Sequence, residues 1–156
     1  MKVISLLQPW ASLVVMGDKK IETRSRNTKY RGRLLIHASK KLTSEQIRLG
    51  QMFNSNYGAG LGFIDDLPLG QIIGSVNLIH VVESRYCFKD NEFEVDAINW
   101  RLTEKERAFG DYSPERFGWL LANPILFKTG VPAKGSLSIW EYEGTIPILQ
   151  NLNELK

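Results

Sequence analysis

Cysteine and histidine are scarce in this 156-residue chain: there is one cysteine, Cys87, and two well separated histidines, His37 and His80. That excludes an intrachain disulfide and a Cys/His zinc site, and neither a metal nor a cofactor is expected. No apolar run approaches the roughly 18–20 residues needed to span a bilayer. The opening "MKVISLLQPWASLVVMGDKK" is broken by Gln8 and Pro9 and is followed by no small-residue cleavage pattern, so it reads as core and not as a signal peptide. A reducing, cytoplasmic setting without membrane contact is the expectation. The glycine-rich "NSNYGAGLGF" lacks the Gly-Lys-Ser/Thr that closes a Walker loop. Ser12 and Ser39 sit in no G-x-S-x-G nucleophile motif. Repeats, low-complexity tracts and linkers are also missing, which leaves a single domain over residues 1–156.

What is present points to a β-rich α+β fold. Thirteen glycines and six prolines bound short apolar runs, a pattern of strands and turns more than of a helical bundle. "KVISLL" reads as a first strand. "QPWASLVVMG" reads as a buried helix, with Pro9 in its first turn, Gly17 at its left-handed end and only Ser12 polar between them. Ile21–Ser25 and Arg31–Ser39 read as the next strands. A helix then opens at Thr43, which stands at capping-box spacing from Gln46. "GQIIGSVNLIHVVES" is the longest strand-like run, with a bulge expected at Gly74. Residues 86–116 are charged and aromatic and read as an insertion. "FGWLLANP" and "SLSIWEYE" read as separate late strands joined by "ILFKTGVPAKG", while the tail from Thr145 fits no element. About six strands with helices inserted among the early ones predict a small curled barrel with helices packed outside.

Charge is uneven. Between Asp18 and Lys41 stand Lys19, Lys20, Arg24, Arg26, Lys29, Arg31, Arg33, Lys40 and Lys41 against only Asp18 and Glu22, although the net charge is just +3. Such a directional field draws polyanions to one region; the bland alternative is a solvated basic face. In an extended strand Lys20, Glu22 and Arg24 share one side while Ile21 and Thr23 share the other. Glu22 then lies between cations and can orient Arg24, or the group is an ordinary strand-edge ion pair. Downstream, "NTKYRGR" interleaves Lys29, Arg31 and Arg33 with Tyr30 and Gly32. That mixture suits single-stranded nucleic acid, which needs cations for phosphates and a ring for a base. Trp10, Trp119 and Trp140 fit core packing better than ligand stacking, His37 reads as a hydrogen-bonded structural histidine, and His80 and Cys87 have no partner pattern.

"LQPWASLVVMGDKKIETRS" followed by "YRGRLLIHASKK" resembles the ASCH (activating signal cointegrator homology) domain. Its G-x-K-x-x-E-x-R signature falls on Gly17, Lys19, Glu22 and Arg24. The resemblance is dense from Val3 to Lys41 and looser in "GQIIGSVNLI" and "FGWLLANP…VPAKGSLSIWEYE". It implies a PUA-like barrel, a cleft holding the signature, and a role with RNA, DNA or nucleotides. One branch of that family resembles amidohydrolases acting on N4-acetylcytidine through a lysine, a threonine and a glutamate. Here Lys19 matches the lysine, but Glu22 occupies the threonine's position and Thr23 is one residue off, so that triad does not transfer. Ribonuclease-like action depending on the signature lysine is also implied.

Three readings follow. The first is a binding module for single-stranded RNA or a nucleotide, with DNA as a further ligand, using Lys19, Arg24, Lys29, Tyr30, Arg31 and Arg33. The second is a hydrolase on RNA or a modified nucleoside with Lys19 and Glu22 as catalytic groups, although a neighbouring carboxylate favours the ammonium form of a lysine and disfavours it as a base. The third is a protein-interaction domain whose partner covers Phe88, Phe93 and Trp100.

Overall fold

A computed structural model describes residues 1–87, 92–95 and 98–146. The strands are β1 (Lys2–Leu6), β2 (Ile21–Arg24), β3 (Gly32–Ala38), β4 (Gln71–Glu83), β5 (Glu92–Val95), β6 (Ile98–Arg101), β7 (Phe117–Pro132) and β8 (Ile139–Glu141). The helices are α1 (Trp10–Met16), α2 (Ser44–Tyr57), α3 (Ser84–Cys87) and α4 (Glu104–Ala108). Six strands form one sheet in the order β2-β7-β4-β3-β1-β8, in which only β1 and β3 run parallel; β5 and β6 form a separate hairpin. The long β4 and β7 slip register at Ile72/Gly74, Ser75/Asn77 and Leu78/His80. Each slip adds twist, and the sheet curls into a half-barrel, the expected α+β PUA-like architecture.

α1 lies across β7, β4 and β3. Its Ala11, Val14 and Val15 join Ile4, Leu34 and Leu78 in the main core. Leu13 turns the other way, to Phe53 of α2 and to Phe109. A helix buried on both sides needs almost no polar residue, which is why Ser12 stands alone. α2 begins with the expected capping box: Thr43 Oγ1 accepts from the Gln46 amide at 3.2 Å and Gln46 Oε1 accepts from the Thr43 amide at 3.0 Å. The bulge at Gly74 also forms; a Cβ there would lie 2.3 Å from the Ile125 carbonyl oxygen.

Two expectations are corrected. "FGWLLANP" and the segment after it are one strand of 16 residues. Asn123, at φ +51, and Pro124 look like a stop, yet Ala122 pairs with Asn77 and Ile125 with Ser75, so the interruption is absorbed as a one-residue bulge. "SLSIWEYE" shortens to Ile139–Glu141, because the residues just before it take no strand conformation and the backbone turns at Ser138, at φ +57. The segment 86–116 also supplies buried side chains to the body of the domain: Leu102, Glu106 and Phe109. Phe88, the Phe93 side chain and residues 147–156 of the tail lie outside the described residues.

Candidate nucleic-acid interface

The signature begins at a helix end. Gly17 adopts φ +84, and its N–H donates to the Val14 carbonyl at 3.1 Å. A left-handed C-terminal turn favours glycine, and a Cβ here would also press on Pro124 at 3.1 Å. The turn sends Lys19 inward. Its side chain is 1% exposed, with Nζ donating to the Ile21 carbonyl at 2.5 Å and standing 3.9 Å from Glu22 Oε2. Behind it, Glu106 of α4 accepts from the Lys20 amide at 3.1 Å and from the Ile21 amide at 2.9 Å. Burial pushes the Glu106 carboxyl above the usual carboxylate range, while the Lys19 charge and these amides pull it down. Lys105 adds an ion pair to Asp18 at 3.0 Å.

β2 shows the expected alternation from Ile21 onward. Ile21 and Thr23 are buried, while Glu22 and Arg24 are partly open. Lys20 departs from it: it precedes the strand and lines a different cleft, with Trp100 and Arg101. Arg24 stacks over the Trp119 ring at 5.8 Å, and its Nη1 lies 3.8 Å from Glu22 Oε1. The Thr23 hydroxyl accepts from the Asp111 amide at 3.0 Å, and Arg116 Nη2 donates to the Thr23 carbonyl at 2.9 Å. This short strand is therefore clamped from β7 on one side and from the α4 segment on the other.

Three adjoining clefts open beside it. The largest, about 850 Å³, is lined by Arg24, Lys40, Lys41 and Lys134, by serines including Ser39, by His37, and by no acidic side chain among the described residues. It shares Ser5, Arg24 and Ser39 with a second cleft of about 280 Å³, where Trp10, Glu22 and Arg116 appear. The second shares Trp10, Glu22, Thr23 and Arg116 with a third of about 360 Å³, which reaches Lys19 and Asp111. Trp10 thus packs near Phe53 on the core side and forms cleft wall on the other.

A hydrogen-bonded chain holds the wall of the large cleft. The Ala133 carbonyl can only accept, so His37 Nε2, 2.8 Å away, carries the proton and Nδ1 accepts from the Ser5 hydroxyl at 3.1 Å. Trp140 Nε1 donates to the same Ser5 oxygen at 3.1 Å. Burial lowers the His37 pKa, which keeps the ring neutral. His37 is thus the structural histidine expected, and it ties β1, β3 and β8 to the loop after β7.

Lys19, Glu22 and Arg24 are brought together at these clefts; the downstream basic run is not. Lys29, Tyr30, Arg31 and Arg33 line none of the three. Tyr30 packs against the main core, and its hydroxyl donates to the Arg33 carbonyl. Burial raises its pKa. Arg31 Nη1 donates to the Thr28 and Tyr30 carbonyls at 2.9 and 2.7 Å. The large cleft instead draws on Lys40, Lys41 and Lys134. The first two belonged to the basic stretch already counted, whereas Lys134 comes from a stretch of only loose resemblance and Glu106 and Arg116 from a segment in which the sequence offered no motif.

A six-stranded sheet curled into a half-barrel, with helices packed on it, is a PUA-like α+β fold. The ASCH domain profile matches residues 4–129, and the chain belongs to the ASCH domain family. It is 32% identical over 145 residues to activating signal cointegrator 1 of Mus musculus and 34% identical over 148 residues to that of Homo sapiens. Each match covers 92% of this chain but 22% of the relative. Two crystal structures share the fold: the ASCH protein of Zymomonas mobilis (TM-score 0.50, 18% identity, covering 99% of this chain and 94% of that one) and a point mutant of it (0.53, 17%, 99% and 96%).

Proposed function

We propose that this chain is a binding module for single-stranded nucleic acid, RNA first, whose phosphates run through the large cleft against Arg24, Lys40, Lys41 and Lys134. The observation that carries this reading is the convergence of four cations from three parts of the chain on one cleft to which no described residue contributes an acid. In the free protein those charges have water to solvate them; a phosphate chain would replace that water and release its own counterions. Trp10, at the shared wall of the two smaller clefts, offers a ring on which a base can stack. Single-stranded DNA carries the same phosphates and is expected to engage the same cations.

The hydrolase alternative assigns the chemistry to Lys19 and Glu22. Lys19 directs its ammonium at the Ile21 carbonyl and toward Glu22, an arrangement that organises the strand more than it attacks a ligand, so recognition is the reading adopted. The test is a titration of fluorescently labelled single-stranded RNA across a range of salt concentrations. Four neutralised phosphates predict a log–log slope of about −3. A slope near zero, or no binding at low salt, would overturn the proposal.

A further inference from the structure

Glu22 is a carboxylate that accepts no hydrogen bond among the described residues, in a cleft whose other charged side chains, Arg24 and Arg116, are cations. Its side chain is 13% exposed, and the two cations nearest it, Lys19 Nζ at 3.9 Å and Arg24 Nη1 at 3.8 Å, stand beyond hydrogen-bond reach. The Lys19 ammonium already donates to Ile21. The cations therefore hold the carboxylate in place by charge while leaving its oxygens open to a donor from the cleft. Trp10 and Arg116 share that cleft with it.

Side by side, Glu22 and Arg24 present two acceptors followed by a donor. Among the bases, guanine offers the matching edge: N1–H and the 2-amino group donate to the carboxylate, and O6 accepts from the guanidinium. Adenine and cytosine place a ring acceptor beside their amino group, which would face a carboxylate oxygen. Uracil flanks its single N–H with two carbonyls. Trp10 supplies the stacking face that a base needs and a ribose hydroxyl does not.

We infer that Glu22 and Arg24, with Trp10, form a subsite selecting a guanine base from the bound strand. This rests on the binding reading above. The test compares a labelled nine-nucleotide oligouridylate with the same strand carrying one central guanosine, adenosine or cytidine. The guanosine strand is expected to bind at least about fivefold tighter than each of the others, with free GMP competing better than AMP or UMP. Glu22→Gln offers one acceptor where the carboxylate offers two and is expected to bring all four strands within about twofold of one another. If the wild-type protein binds the four strands equally with normal salt dependence, the guanine subsite is wrong and the binding module stands. If no strand binds, both fail. The wild-type comparison decides the question even where the variant does not fold.

Discussion

Glu106 Oε1 accepts the amide of Ile21 at 2.9 Å across 85 residues of sequence. That contact ties α4 to the first residue of β2, and the same carboxylate takes the Lys20 amide while sensing the charge of buried Lys19. The signature strand is thus held by a residue outside the signature. Removing Glu106 would leave two amides without their acceptor and a buried ammonium with one compensating charge fewer.

Glu106→Ala is expected to destabilise the fold by about 3 kcal/mol, and Glu106→Gln by about 1 kcal/mol, since one oxygen remains. Lys19→Met should cost a similar 3 kcal/mol or so, because it removes the buried cation that stands beside Glu22 and whose charge Glu106 senses. In urea unfolding, Lys19→Met combined with Glu106→Gln should cost less than the two changes summed. Strict additivity would mean the two groups do not interact.

Gly17→Ala should lower stability by about 1–2 kcal/mol, since alanine pays for a left-handed φ and its methyl meets Pro124. The first glycine of the signature is on this account a backbone requirement. A thermal melt unchanged by the substitution would contradict that.

His37 sets a pH dependence. Its folded pKa is lowered by burial, so below about pH 6.5 the unfolded chain binds a proton that the folded chain refuses. Stability is therefore complete above that pH and falls as pH drops toward the lowered folded value. His37→Gln should flatten this part of the profile. The comparison to make is unfolding free energy at pH 7.5 and pH 5.5 for both proteins; an equal loss in the two would remove His37 as the source.

Much of this was legible in the sequence because local rules decided it. The α1 ends, the Thr43–Gln46 box, the Gly74 bulge and the alternation of Ile21, Glu22, Thr23 and Arg24 each follow from a few neighbouring residues. What local rules did not reach lies where distant segments decide. Pro124 marks a strand end by its own chemistry, but the pairing of β7 with β4 resumes past it. In the fold Tyr30 and Arg31 of "NTKYRGR" also bond to nearby carbonyls, contacts that the run of residue types did not announce. Lys134 and Glu106 reach the site through the loop after β7 and through α4, and no spacing near either residue signals the partner it meets.

The most direct test of the central claim sets two pairs of cations against each other. Lys40→Ala with Lys134→Ala removes two charges from the cleft, and Arg31→Ala with Arg33→Ala removes two from the downstream run that lines none of it. Affinity of each double variant for a labelled single-stranded RNA is measured across salt concentration. The cleft pair is expected to lose about tenfold or more at low salt and to flatten the salt slope by about 1.4, while the outer pair shifts affinity by less than about twofold. The reverse order, with the outer pair abolishing binding and the cleft pair leaving it intact, would contradict the account.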